Sequence, residues 1–238
     1  MSEPILSLNR ITKRFGGVVA LGNVSFDVAQ NEIVGLMGPN GAGKTTLLNT
    51  IAGTFPPDVG TIHFKGKEIT GYPAHKTCQL GIGRTYQIPQ PFVTLSVADN
   101  LRVASVFSQR YAGKSDPDIH QILEMAGLFE RKDQLAGNLP ILSLKKLELA
   151  RALACDPELI LLDEIAAGLT DPEIPKVLET ISEIRNMGIT IIIVEHVMKV
   201  MMNAVDRIVV LDNGTTLCSG SPNEVVNDCK VVEAYFGA

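Results

Sequence analysis

Short apolar runs that end at polar or glycine-rich residues recur along the chain, and we interpret them as buried strands. The clearest runs are residues 33–37, 159–162 and 189–194. Residues 5–27 indicate two more strands around a turn at Gly16 and Gly17, and the Asn-Gly pair at 213–214 predicts a hairpin. Strand-like patterns therefore lie on both sides of the middle of the chain, and residues 222–228 and 231–237 at its end are predicted to be short helices.

A helical pattern fills the middle of the chain. Between residues 96 and 154 apolar residues recur at helical spacing without a strand-like run, which predicts a helical insertion. The predicted helices are 72–83 before the insertion, then 96–107, 116–128, 130–139 and 143–154 within it, and the amphipathic helix 172–187 after it. The alternation of strands and helices on either side of the insertion predicts an α/β core.

The run at residues 33–37 leads into a glycine-rich segment with the spacing G-x-x-x-x-G-K-[ST], the P-loop, and a helical pattern follows it. Glycines let successive backbone N–H groups turn toward a phosphate, and the helix N-terminus adds a positive dipole end. We predict that Lys44 reaches the β- and γ-phosphates of a nucleotide, that the Thr45 hydroxyl binds Mg²⁺, and that Thr46 lies near the α-phosphate. The predicted nucleotide-binding residues here are Gly38, Pro39, Asn40, Gly41, Ala42, Gly43, Lys44, Thr45 and Thr46.

Two acidic residues follow the second apolar run, in the sequence LILLDE. Parallel sheets carry their ligands at the carboxyl ends of the strands, so Asp163 is placed to bind the metal. Glu164, which points elsewhere, is a candidate general base for an attacking water. The alternative is that both acids only solvate a loop.

Composition limits the functions that the chain can have. Its 238 residues carry 21 basic and 26 acidic side chains, a net charge of −5, and this balance excludes a strongly basic surface for nucleic acid. The longest apolar run, at 189–194, is far shorter than the roughly 20 residues of a membrane span. The start, MSEPILSLNR, has neither a basic nor an apolar segment, so we expect no export signal.

Four scattered cysteines lack C-x-x-C spacing and favour free thiols in a reducing cytosol over a disulfide or a metal site. The length suits one large α/β domain that carries a smaller subdomain. Phe15 lies beside the first turn, where an aromatic ring either stacks on adenine or belongs to the core; the residues alone favour the core.

The P-loop, the helical insertion, LILLDE and a histidine at the end of a strand, in this order, resemble the nucleotide-binding subunit of an ABC transporter over nearly the whole chain. The resemblance implies an α/β fold: a P-loop NTPase (RecA-like) core with an antiparallel β subdomain and an inserted helical subdomain. It implies one domain over residues 1–238, with a nucleotide-binding core at 1–87 and 155–238 and the helical subdomain at 88–154.

The resemblance also implies roles for single residues. Phe15 becomes the aromatic that stacks on adenine, Gln87 links the metal and the attacking water to a membrane partner, and His196 contacts the γ-phosphate. ATP and Mg²⁺ are the implied cofactors. Two such subunits would clamp two ATP molecules head to tail on the cytoplasmic face of membrane permease subunits, each ATP lying between the P-loop of one chain and the signature motif of the other.

The signature motif is where this sequence departs from the family pattern. The family usually has LSGGQ before a basic pair and a helix, and the downstream part places LPILS on the motif, namely Leu139, Pro140, Ile141, Leu142 and Ser143. Starting the motif at Leu142 would require a deletion in the helix. Pro140 replaces a phosphate-binding serine, so we expect a heterodimer in which this chain hydrolyses its own ATP against a partner's intact signature; a homodimer is the alternative. Thr170 also stands where the family often has Asp.

Four stretches resemble one subfamily, the ATP-binding subunits of branched-chain (hydrophobic) amino acid importers. They are GIGRTYQIPQPFVTLSVADNL, DEIAAGL, VEHVMKVMM and VVEAYFG. Uptake of branched-chain amino acids is therefore the expected function, with urea or amide importers and the lipopolysaccharide export ATPase as related alternatives. A soluble ABC ATPase and a regulatory ATP-binding subunit are more distant ones. Residues 88–95 are either a groove for a permease helix or subdomain core.

Overall fold

The computed structural model describes residues 3–108 and 118–236 of the chain. The strands are β1 (Leu6–Phe15), β2 (Val18–Val28), β3 (Ile33–Met37), β4 (Val59–Phe64), β5 (Lys67–Glu68), β6 (Ile82–Arg84), β7 (Leu159–Asp163), β8 (Thr190–Val194), β9 (Arg207–Asp212) and β10 (Thr215–Gly220). The α-helices are α1 (Lys44–Ile51), α2 (Ala74–Leu80), α3 (Val97–Ser108), α4 (Ile119–Met125), α5 (Ile141–Ala154), α6 (Ile174–Asn186), α7 (Met198–Ala204), α8 (Pro222–Val226) and α9 (Cys229–Phe236). Single 3₁₀ turns lie at Phe129–Arg131, Ala136–Asn138 and Asp171–Glu173.

The strands form two sheets. The larger has the order β10-β9-β3-β8-β7-β6, parallel except for the β9–β10 hairpin, and the smaller is antiparallel with the order β2-β1-β4-β5. In the larger sheet β3 lies between β9 and β8, and β8 lies between β3 and β7. The carboxyl ends of β3, β7 and β8 consequently meet at one edge of the sheet.

Both faces of the larger sheet are covered at its central strands β3, β7 and β8, which explains why these strands read as continuous apolar runs. Leu159 and Leu161 of β7 point into a core shared with α1 and the antiparallel sheet. Ile160 and Leu162 point the other way, into a core shared with the helices of the insertion and with α6 and α7. Burying each such side chain stabilises the fold by roughly 1.5–3 kcal/mol, so the sheet is a rigid platform for its edge.

The predicted α/β architecture is confirmed, with local differences. The segment predicted as one helix at 130–139 forms only two 3₁₀ turns, at Phe129–Arg131 and Ala136–Asn138. Strand β6 and helix α7 were not predicted: β6 has three residues, too few for periodicity, and forms because it pairs with β7. The helix predicted from residue 116 begins at Ile119 with Asp118 as its N-cap, and residues 116–117 lie outside the described part of the chain.

No helix within residues 3–108 and 118–236 is long and apolar enough to cross a bilayer.

Candidate active site

The P-loop connects β3 to α1 and leaves the N-terminus of α1 open. A Cβ at Gly38 would overlap the Leu211 carbonyl oxygen, and Gly43, the N-cap of α1, has φ 101°, so both positions require glycine. No side chain caps this helix, and its first turn contains no acidic residue. The first backbone N–H groups of α1 and the positive end of its dipole are therefore available to an anion.

Lys44 opens α1 and is buried, with 7 % of its surface exposed. Its ammonium donates hydrogen bonds to the carbonyl oxygens of Gly38 (2.7 Å) and Pro39 (2.9 Å). Burial lowers the pKa of Lys44, while the nearby Glu164 and Asp163 carboxylates oppose that shift. The loop thus holds a desolvated cation that would gain from an anionic ligand.

Asp163 ends β7 and is almost completely buried. Burial raises the pKa of its carboxyl group, opposed chiefly by Arg84, whose Nη2 lies 3.8 Å from Asp163 Oδ2. Arg84 itself is held by Asn49 of α1, because its Nη1 donates to Asn49 Oδ1 at 2.7 Å. The backbone N–H of Asp163 donates to the Thr85 hydroxyl at 3.1 Å. Asp163 is therefore fixed, but its charge is incompletely compensated.

The residues present fit a hard divalent cation. The Thr45 hydroxyl and the Asp163 carboxylate are oxygen donors of the kind that Mg²⁺ prefers, and since burial raises the pKa of Asp163, a bound cation would favour its charged form. Within the described part of the chain, no cluster of three or more His, Cys, Asp or Glu side chains could hold a metal alone. A cation here would take its other ligands from a nucleotide and from water.

The three residues predicted to be catalytic meet at Glu164, which contacts both Gln87 and His196. Its Oε2 accepts a hydrogen bond from Gln87 Nε2 at 2.7 Å, and its Oε1 lies 3.2 Å from His196 Nε2. Glu164 has φ 52°, a left-handed conformation that is strained for a residue with a Cβ, and its N–H donates to Val194 O at 2.9 Å. The turn after β7 aims this carboxylate between residues from two other segments of the chain.

The structure also places Phe15 and the first three residues of LPILS. Phe15 is 48 % exposed and packs edge-on against Phe55, with ring centroids 5.3 Å apart, so the interpretation of Phe15 as core is wrong. Leu139 is buried in the core with the helices of the insertion, Pro140 is the N-cap of α5, and the 59 % exposed Ile141 begins that helix. LPILS therefore lies at the N-terminus of α5.

Sequence reasoning missed the supporting residues of this site. Arg84, the last residue of β6, and Thr85, the residue after it, both contact Asp163. In the sequence these two residues appear only as a polar pair after a short apolar segment. Glu195 is also buried: its carboxylate accepts hydrogen bonds from the N–H groups of Ala166 (2.6 Å) and His196 (3.3 Å). Burial raises the pKa of Glu195, and these N–H groups oppose that shift. Glu195 thus ties the end of β8 to the segment after Glu164.

The chain is similar to known proteins along its whole length. The family model described as ABC transporter matches residues 21–167. The chain is 38 % identical, over 253 aligned residues, to the high-affinity branched-chain amino acid transport ATP-binding protein LivG of Escherichia coli (strain K12), and the match covers 100 % of this chain and 99 % of the relative. The corresponding protein BraF of Pseudomonas aeruginosa is 34 % identical, with the same coverage. The crystal structure of the ADP conformation of MJ1267, an ATP-binding cassette of an ABC transporter, superposes with a TM-score of 0.86 at 32 % identity, over 100 % of both chains.

Proposed function

The chain belongs to the ABC transporter family as one of its ATPase subunits, and we propose that it binds and hydrolyses ATP to energise the uptake of branched-chain amino acids. One observation carries the hydrolytic part: the Glu164 carboxylate lies between Gln87 Nε2 and His196 Nε2, at the sheet edge where the P-loop begins. The transported substrate is assigned through the full-length similarity to LivG and BraF.

The binding residues follow from the geometry of the loop. The open N-terminus of α1 and the Lys44 ammonium would hold the phosphates, and the Phe15 side chain, which is 48 % exposed, would stack on adenine. Thr45 and Asp163 would hold Mg²⁺, with Gln87 as a further ligand. When bound, the cation would neutralise phosphate charge.

Glu164 acts as general base in this proposal. Its carboxylate is oriented by Gln87 and His196, so a water bound against it would be aligned for attack on the γ-phosphate. The His196 side chain, 40 % exposed, reaches the open side of the site and would contact the γ-phosphate. This chain would accelerate hydrolysis by positioning the water and by stabilising phosphate charge. The proposal includes no covalent intermediate.

The test compares the Glu164→Gln variant with the wild type. We expect the variant to bind ATP and to hydrolyse it about 10²–10⁴-fold more slowly, because the general base is lost while the P-loop is unchanged. Glu179→Gln is the matched control, since Glu179 is an exposed residue of α6 paired with Lys176 at 2.8 Å. Hydrolysis by Glu164→Gln at the wild-type rate would disprove the assignment of the base.

A groove beside the site suits a membrane partner. A cavity of about 400 Å³ lies between α2, α3 and α5, with Tyr86, Phe92 and Phe107 in its wall. Residues 88–95 follow Gln87 directly, and the guanidinium of Arg151 in α5 holds them by donating to Gln90 O at 2.8 Å. This exposed apolar segment therefore connects directly to the glutamine that touches Glu164. We place the cytoplasmic helix of a permease subunit here, with the chain peripheral on the cytoplasmic face of the membrane.

Phe92→Asp tests this docking site. Because Phe92 is 45 % exposed, a charge there should leave the fold and ATP binding intact but reduce co-purification with the permease subunits and stop leucine uptake in reconstituted vesicles. Met187→Asp, at an apolar position that is 50 % exposed at the end of α6, is the control. Normal membrane association of Phe92→Asp would exclude this groove as the docking site.

The same vesicles with the wild-type chain test the substrate. Uptake of urea in place of leucine would reassign the transported substrate.

A further inference from the structure

The C-terminal helix contacts the P-loop through one hydrogen bond. The backbone N–H of Gly38 donates to the hydroxyl oxygen of Tyr235 in α9 at 2.8 Å, across 197 residues of sequence. Gly38 follows the last residue of β3 that pairs with β9, namely Met37. The Tyr235 hydroxyl therefore supplies an acceptor at the point where the sheet ladder ends and the phosphate loop begins.

The same glycine also holds the cation of the loop. The carbonyl oxygen of Gly38 accepts a hydrogen bond from Lys44 Nζ at 2.7 Å. Gly38 has φ 145°, and a Cβ at this position would overlap the Leu211 carbonyl oxygen, so the start of the loop requires glycine here. Tyr235, Gly38 and Lys44 are consequently connected by two consecutive hydrogen bonds.

Helix α9 is anchored well enough to fix that tyrosine. Val231, in its first turn, is buried in the core that also contains β7 and β8. The Tyr235 ring is half-buried, with 37 % of the residue exposed, and its burial raises the pKa of the phenol, opposed by the N–H of Gly38. The hydroxyl is thus protonated at neutral pH and remains a neutral acceptor for the glycine amide.

We propose that Tyr235 is a positioning residue for the nucleotide: its hydroxyl fixes Gly38 and, through the Gly38 carbonyl, the Lys44 ammonium that binds the phosphates. This inference rests on the proposed ATP-binding function. Without the hydroxyl, the entry to the loop must be ordered when the nucleotide binds, and affinity falls by that ordering cost. Helix α9 thereby acts on the phosphate site from outside it.

The test compares Tyr235→Phe with wild type, because phenylalanine keeps the ring and removes only the acceptor. We expect the Kd for N-methylanthraniloyl-ADP and the KM for ATP to rise about three- to tenfold, the effect of one net hydrogen bond. The kcat should stay within about twofold, because Glu164, Gln87 and His196 are untouched. Tyr72→Phe is the matched control, since the Tyr72 ring lies against Lys67 and Lys76 rather than against the P-loop.

A folded Tyr235→Phe protein with a wild-type Kd would overturn the inference, even if its Tm were lower, because the tyrosine would then be merely structural. A wild-type chain that fails to bind the ADP analogue would instead refute the proposed function. Hydrogen exchange on the wild type gives a second test that needs no variant: ADP should slow exchange in α9 as well as in the P-loop, and unchanged exchange in α9 would contradict the coupling.

Discussion

The sequence LPILS predicts weak binding to the ATP of an opposing subunit. A single substitution, Pro140→Ser, should partly restore that binding. Pro140 is the N-cap of α5 with φ −65° and ψ 157° and makes no capping hydrogen bond. Ser221, the N-cap of α8, has φ −61° and ψ 157°, and its hydroxyl accepts from the N–H of Glu224. The chain thus already contains a serine cap with the backbone conformation of Pro140, so the substitution requires no rearrangement.

Two separate gains should follow from Pro140→Ser. A serine N-cap typically stabilises a helix by about 0.5–2 kcal/mol, and each kcal/mol raises Tm by roughly 2–4 °C in a domain of this size. A hydroxyl that binds the γ-phosphate of an opposing subunit would add about 1.5–3 kcal/mol to the closed dimer, which is about ten- to a hundredfold in affinity. Replacing Ile141 and Leu142 by glycine would also clear the side chains that stand where backbone must approach the phosphate.

The assay is light scattering after size exclusion, with and without ATP, in the Glu164→Gln background so that ATP persists. We expect this chain to remain monomeric and the Pro140→Ser, Ile141→Gly, Leu142→Gly protein to form an ATP-dependent homodimer. Pro140→Ala in the same Ile141→Gly, Leu142→Gly background is the matched control, because it removes the ring without supplying a hydroxyl. A clear ATP-dependent homodimer of the chain with unaltered LPILS would refute the reasoning and the preference for a heterodimer.

Two further predictions concern buried carboxylates. Folding raises the pKa of Asp163 above 3.8, so its charged form lowers stability at neutral pH, and this penalty disappears below the unfolded pKa. Asp163→Asn should therefore raise Tm increasingly as pH rises from 4 toward 7, while ATPase activity is lost. A lower Tm of the variant at pH 7 would contradict the electrostatic argument. Glu195→Ala leaves the N–H groups of Ala166 and His196 without their acceptor and should lower the free energy of unfolding by about 1–3 kcal/mol for each. Glu195→Gln keeps one acceptor oxygen and should lose less in urea denaturation; equal losses would exclude this role.

The parts of the site that could be predicted from sequence are those encoded by neighbouring residues. The P-loop, Asp163 and Glu164 follow strands directly, so spacing alone indicates their chemistry. Gln87 and His196 are single residues whose expected roles came from the family resemblance, and the structure places both within hydrogen-bonding range of Glu164.

The supporting contacts could not be predicted, because they depend on which segments become neighbours. Arg84 reaches Asp163 only because β6 pairs with β7 in the register Arg84 opposite Leu161. Tyr235 meets Gly38 across nearly the whole chain. Neither contact leaves a periodic or local signal, since pairing of distant elements is set by the packed sheet rather than by spacing.

The electrostatics of the site connect its stability with its function. Burial lowers the pKa of Lys44 and raises that of Asp163, so each charge is disfavoured where it stands, although the two attract each other. A nucleotide with its cation would supply the missing partner to both, phosphate oxygens to Lys44 and a metal to Asp163. Lys44 and Asp163 therefore destabilise the nucleotide-free protein and would stabilise its complex with the nucleotide. On this argument ATP should stabilise the wild type more than Asp163→Asn, even at concentrations that saturate both proteins.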